Sequence, residues 1–192
     1  LFSPLQEGIG TEIAVVGREG IVGVGTFMGT RQAMSSAVVQ RAGYAMRLRA
    51  RHMEEMVKNP QVVSHLLRYS QMLFTNMAQT AACHAHHPLY KQLCSWLLQH
   101  LDRQVEEDIY VTQERIAGML GVRREGVTAA ALKLQSDGVI RYHRGLIKVL
   151  DRRELAHQCC DRPLTRQRGH LVGPAAAELG GLKHRSRDRG RR

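Results

Sequence analysis

Arg123, Arg124 and Glu125 stand consecutively just after Gly121-Val122, and Thr128 lies one helical turn beyond Arg124. An arginine guanidinium can bridge O6 and N7 of guanine, a glutamate carboxylate can accept from N4 of cytosine, and a threonine hydroxyl can serve either kind of base edge. Presented together at the start of one helix, these side chains have the chemistry to read adjacent base pairs. Thr112, Gln113, His143 and Arg144 add neutral and cationic donors of the kind that hold phosphates and so position a protein without naming a base. Both groups must then be carried to one face by the elements around them.

The spacing predicts those elements. Thr112 can cap a helix whose first turn holds Glu114, where the helix dipole favours a carboxylate. Ile116, Met119 and Leu120 form an apolar stripe at i, i+3, i+4, and Gly121 supplies the left-handed residue of a sharp helix exit. Helical spacing resumes over 123–135, with Val127, Ala130, Ala131 and Leu134 on one side. Ala117 and Gly121 are small where two helices must cross, and Ile116, Leu120, Val122, Val127 and Ala130 flank them, as a helix-turn-helix requires. Gly138 breaks the second helix, and 139–142 and 146–150 are β-favouring runs joined through His143-Arg144-Gly145, which predicts a hairpin wing. A winged helix-turn-helix places the basic and hydrogen-bonding residues above against double-stranded DNA.

Val111-Thr112-Gln113-Glu114, Ala117, Met119-Leu120-Gly121-Val122-Arg123-Arg124-Glu125, Val127-Thr128 and Gly138-Val139-Ile140 resemble the winged helix of the Crp/Fnr superfamily of bacterial transcription regulators, densely over roughly 88–154. More weakly, 12–23 and Ser36-Ala37-Val38-Val39-Gln40 resemble the later strands of that family's cyclic-nucleotide-binding-type β-roll. Leu1 is not an initiator methionine and the resemblance starts in mid-domain, so an N-terminally incomplete sensor half is expected. The resemblance implies an α+β fold in four parts: a partial β-roll at 1–52, a linker and dimerisation helix at 53–87, a Crp-type winged helix-turn-helix at 88–154, and a basic tail at 155–192 that reads as disordered. It also implies a sequence-specific regulator that binds a palindromic site as a homodimer, with its recognition helix in the major groove and RNA polymerase as a further candidate partner. Arg124 and Glu125 match the family's frequent reading pair, with Arg123 before them, whereas Ala129 stands where relatives often carry another basic reader.

Upstream of the winged helix, Val63, Leu66, Leu67, Leu73, Phe74, Met77 and Ala81 recur at three- and four-residue steps, an apolar face broad enough to pack on its own domain and on another helix. By the resemblance this is the dimer interface (Val63, Leu66, Leu67, Leu73, Phe74 and Met77), and two-fold pairing would set two recognition helices about 34 Å apart, one turn of DNA. Pro88 ends that helix, and Leu93, Trp96, Leu97 and His100 step helically into the next, with Trp96 expected in the core.

Charge supports DNA as the partner. The chain of 192 residues carries a formal net charge of +11. More than half of it lies at 161–192, with nine basic against three acidic residues, a run expected to be a solvated terminus. Between Arg123 and Lys148, six basic residues face Glu125 and Asp137, whereas 102–114 is acidic. No run approaches the ~20 apolar residues of a membrane span, and a cytoplasmic protein without membrane contact is expected.

Other chemistries are weakly supported. Placed on the cyclic-nucleotide sites of the resembling family, Ile21 and Ser35 stand where a ribose-binding glutamate and a phosphate-binding arginine would be, and Arg31 lies four residues too early, which argues against a cyclic nucleotide. Gly20, Gly23, Gly25 and Gly29 precede no Lys-Ser/Thr, so tight β-turns are expected rather than a phosphate loop. The four cysteines, Cys83, Cys94, Cys159 and Cys160, form no CxxC pair. Cys83 with His86 or His87 could share a helix face as a metal site, but a solvated helix end is the simpler expectation, so no metal and no cofactor is assigned. Glu106-Glu107-Asp108 falls in an expected exposed loop, and no nucleophile–base pair marks an enzyme. The alternative function is an effector-sensing or protein-interaction module that binds DNA without sequence preference. Gly126 is costly inside a helix by about 1 kcal/mol, and either close approach to DNA or neutral drift would account for it.

Overall fold

The computed structural model describes residues 1–2, 10–30, 32–33, 35–104 and 108–159. Among these, a short 3-10 turn, Val24–Met28, precedes helices α1 (Ala50–Met56), α2 (Pro60–His86), α3 (Leu89–Arg103), α4 (Gln113–Leu120), α5 (Arg124–Ser136) and α6 (Arg152–Gln158). Strands β1 (Asp108–Tyr110), β2 (Ile140–His143) and β3 (Leu146–Val149) form one antiparallel sheet in the order β1-β3-β2. The fold is thus mixed: helices with a small antiparallel sheet.

Local chemistry sets most boundaries. Pro60 opens α2 behind Asn59, whose side chain accepts from the Gln61 N–H at 2.9 Å. At the far end Pro88 forces the residue before it out of helical backbone, and His87 is extended. The carbonyls left open there are not wasted: the Gln92 side-chain amide donates to His84 at 3.3 Å and to His87 at 2.8 Å, tying the end of α2 to α3. Thr112 caps α4 by accepting from the Arg115 N–H at 3.2 Å. Gly121 closes that helix at φ +67°, and the Val122 N–H reaches back to Ala117 at 3.0 Å.

One core holds the C-terminal half of the described residues together. Leu93, Leu97, Ile116, Val127, Leu134, Val139, Ile140, Ile147 and Leu155 are fully buried, drawing α3 to α6 and the sheet onto a common centre. Trp96 lies in this core, its ring 3.9 Å from that of His100. A smaller cluster of Ala14, Tyr69 and Leu73 joins α2 to the N-terminal segment.

Four expectations change. The stretches 12–23 and 36–40 form no continuous strand among the described residues; they make isolated bridges, Phe2 to Glu12 and Phe2 to Ser36. A strand persists where a neighbour accepts and donates along its length, and here Phe2 alone bridges both stretches. The glycines expected in β-turns instead include Gly23 and Gly29, which flank the 3-10 turn. Asp108, expected in a loop, opens β1 opposite Lys148, and the two side chains pair at 3.4 Å; Glu106 and Glu107 lie outside the described residues. The expected tail boundary at 155 falls inside α6, where Asp151 caps the Glu154 N–H at 2.9 Å and Leu155 is 0% exposed. Arg31, Cys160 and the basic run at 161–192 lie outside the described residues.

The N-terminal segment docks on the helix-turn-helix. The Glu12 N–H donates to the Met119 carbonyl at 2.9 Å, and Thr11 lies against Gly121. Burial pushes the Glu12 carboxyl up to about 7, against the opposing pull of the N-terminal amine, the nearby Trp96 indole and Arg103. Across from it, burial drives His100 down to about 4, with its Nε2 3.9 Å from the Glu12 carboxylate. The signs oppose. Glu12 contributes stability that is complete below about 4.5 and lost as pH rises through about 7. His100 contributes stability present above about 6.5 and lost as pH falls towards about 4. Glu12→Gln is therefore expected to raise stability by roughly 1–3 kcal/mol at pH 8 and to change it little at pH 5. Thermal unfolding followed by the fluorescence of the chain's single tryptophan, Trp96, measures both. Equal stability of variant and parent at pH 8 would remove the buried carboxylate from the account.

Candidate nucleic-acid interface

α4 and α5 meet across the Gly121 turn, and their buried faces (Ile116, Ala117 and Leu120 against Val127, Ala130 and Leu134) leave the first turn of α5 projecting. Arg123, Arg124 and Glu125 are all exposed there, with Arg123 as the N-cap residue. The wing returns beside them. Its two-residue turn puts Arg144 at φ +47° and Gly145 at φ +80°, the double positive twist that joins short antiparallel strands most tightly. Arg144 is thereby held at the tip.

A groove of about 480 Å³ runs between these elements, lined by Thr112 and Gln113 from the start of α4, Arg124 and Thr128 from α5, and Arg144 from the wing. Five of the eight side chains singled out for nucleic-acid contact thus line one surface. Arg123, Glu125 and His143 are exposed on the same elements but outside that lining. Thr128, half-buried, spends its hydroxyl within the protein: it donates to Oε1 of Gln113 at 2.8 Å, with the Arg124 carbonyl also in reach at 3.1 Å.

The surface carries arginines beside two carboxylates, Glu114 in the groove lining and Glu125 exposed next to it. Lys133 pairs with Asp137 at 3.2 Å and Lys148 with Asp108 at 3.4 Å. Among the described residues Arg123, Arg124 and Arg144 form no such pair, so their charge is open to an anionic partner.

One residue that holds this geometry, Tyr142, was not singled out from the sequence. The Tyr142 hydroxyl donates to the Val111 carbonyl at 2.8 Å, its backbone N–H donates to Oε1 of Gln135 at 2.8 Å, and the Val111 N–H donates to Gly145 at 2.8 Å. Tyr142 therefore straps the wing both to α5 and to the approach of α4. Burial raises its hydroxyl pKa, with the positive charge of Arg124 opposing. The signal was a tyrosine between Arg141 and His143, on the inward side of an alternating strand. Gly126 lies beside the start of α3: a Cβ there would meet Cδ2 of Leu89 at 2.8 Å, and that flexible side-chain end would have to shift.

For a metal, Cys83 and His87 do come together, at 3.4 Å from Sγ to Nδ1, beside Ser95. Among the described residues no group of three or more potential ligands converges, and no helix is long and apolar enough to cross a membrane.

Residues 91–158 match the family model described as the Crp-like helix-turn-helix domain. Over these residues the chain is similar to the Crp-like helix-turn-helix domain. Solved structures to which the chain is similar include a Crp/Fnr-family transcriptional regulator of Thermus thermophilus, TTHA1359, at 22% identity over 54% of this chain and 57% of that one, with a TM-score of 0.47. FixK2 of Bradyrhizobium japonicum matches at 17% identity over 57% of each chain, with a TM-score of 0.49. The chain spans somewhat more than half the length of these two structures. No curated protein matches it significantly.

Proposed function

We propose that this chain is a sequence-specific, DNA-binding transcription regulator that grips a palindromic site as a homodimer. The observation that carries this is the convergence of Arg124, Thr112, Gln113 and Arg144 on one groove, beside an exposed Arg123 and Glu125. The first turn of α5 enters the major groove, where Arg124 and Glu125 read neighbouring base pairs. Thr112, Gln113, His143 and Arg144 hold the flanking phosphates, and Arg123 serves either role.

The second copy is supported by α2. Leu66 and Leu73 are buried within the chain, and Val63 and Met77 are half-buried. Leu67 and Phe74, two turns apart, stay exposed, and Ala78, Ala81 and Ala85 continue their stripe. Small and large apolar residues at heptad spacing suit a helix pairing with its own copy. A cytoplasmic site of action follows from DNA as partner, RNA polymerase is the further partner such a regulator would meet, and no catalytic role is assigned.

Selection from a randomised duplex pool tests the proposal. Recovery of a two-fold symmetric site, with half-site centres about one helical turn apart, is the expected result. Recovery of no motif, with binding that fades uniformly as salt rises, would overturn it in favour of a module that holds DNA without preference.

A further inference from the structure

We infer that Thr128 is a positioning residue rather than a base reader: it locks the Gln113 amide so that the NH₂ group faces the groove as an uncharged phosphodiester donor. This rests on the DNA-binding function proposed above and deepens it. A threonine hydroxyl has one hydrogen to give. Here it is spent inside the protein, on Oε1 of Gln113 at 2.8 Å, with the Arg124 carbonyl as second acceptor at 3.1 Å. The first bond spans fifteen residues and crosses from α5 to α4. With its oxygen held by Thr128, Gln113 lines the groove with both amide N–H donors left for a ligand.

Their surroundings say which ligand. The groove that Gln113 lines also presents Arg124 and Arg144, cations without a carboxylate partner among the described residues, which outnumber its one carboxylate, Glu114. Thr112 sits beside it on the same rim; its oxygen accepts from the Arg115 N–H at 3.2 Å, so its own hydrogen remains to be donated. Two arginines with a row of hydroxyl and amide donors match the anionic oxygens of a phosphodiester strand. Thr128 connects the strand-holding rim to the helix that reads bases, so that α5 cannot rotate without moving Gln113.

The test uses the full chain, the duplex recovered by selection and a shuffled duplex of equal length, with affinity measured by fluorescence anisotropy across a salt series. Thr128→Val keeps the side-chain shape and loses the hydroxyl. It is expected to weaken binding to both duplexes alike, by about fivefold per half-site, the worth of one hydrogen bond. The selected motif and the salt slope should stay as in the parent, since Gln113 carries no charge and releases no counterion. Gln113→Ala should match it, the double variant should be no worse than either single, and Thr128→Ser should restore binding. A changed base preference in Thr128→Val would make Thr128 a reader and overturn the inference, as would additive losses in the double variant or a failure of Thr128→Ser to rescue. If the parent chain binds neither duplex, the underlying function falls as well, an outcome distinct from these.

Discussion

A chain carrying Leu67→Asp and Phe74→Asp together is expected to remain folded, to sediment as a monomer, and to lose at least about 100-fold in affinity for a palindromic duplex, because tethering two half-site readers multiplies their binding. The expectation follows from where α2 leaves apolar surface. Leu67 is 54% exposed and Phe74 53% exposed, so each leaves about half of its surface open to a partner. Aspartates there would be harmless in a monomer and would bury two pairs of like charges in a symmetric seam, which a helix dimer cannot tolerate. Leu66→Asp is the contrasting control. Leu66 is buried within the chain, so this variant should lose helix signal and stability as well as association. Sedimentation velocity separates the cases, and a double variant that still runs as a dimer would place the interface elsewhere.

The winged helix-turn-helix was legible because its signals are local. A threonine cap, an apolar stripe and a glycine at the exit specify α4 and the turn within ten residues, 112–121. Arg144-Gly145 marks the wing in the same way. What the sequence withheld depends on partners distant along the chain. β1 is three residues long and owes its existence to pairing with β3, some forty positions later. The stretches that resemble β-roll strands carry a pattern that needs neighbours, and within the described residues they bridge through Phe2 alone. Thr128 was read as a base contact because it shares a helix with Arg124; its bond to Gln113 exists only once α4 and α5 have crossed. α6 is a different case, since Asp151 followed three residues later by Glu154 is a helix-start signature. The charged run that follows obscured it, and a single buried leucine, Leu155, decides it.

Arg124→Ala should change what the protein reads without changing whether it folds. Arg124 is exposed in the first turn of α5, and its backbone carbonyl, which faces the Thr128 hydroxyl at 3.1 Å, survives the substitution. Alanine is at least as good a helix former, so α5 keeps its length. What is lost is the fork that can bridge guanine O6 and N7, about 1–3 kcal/mol of discrimination for each half-site. In a symmetric complex both half-sites lose it at once, which amounts to about 2–6 kcal/mol, or roughly 30-fold to beyond 1,000-fold in preference over shuffled DNA. Glu125→Ala should relax a neighbouring position instead, because its carboxylate can accept from cytosine on an adjacent pair. Repeating the pool selection with each variant therefore gives a positional answer. One relaxed column per half-site, different for the two variants, places both side chains in the major groove and fixes the register of α5 against the bases. A motif identical to the parent's in the Arg124→Ala selection would mean that this arginine holds phosphate rather than a base edge. Base reading would then have to pass to Arg123 and Glu125, the remaining exposed polar side chains at the start of that helix.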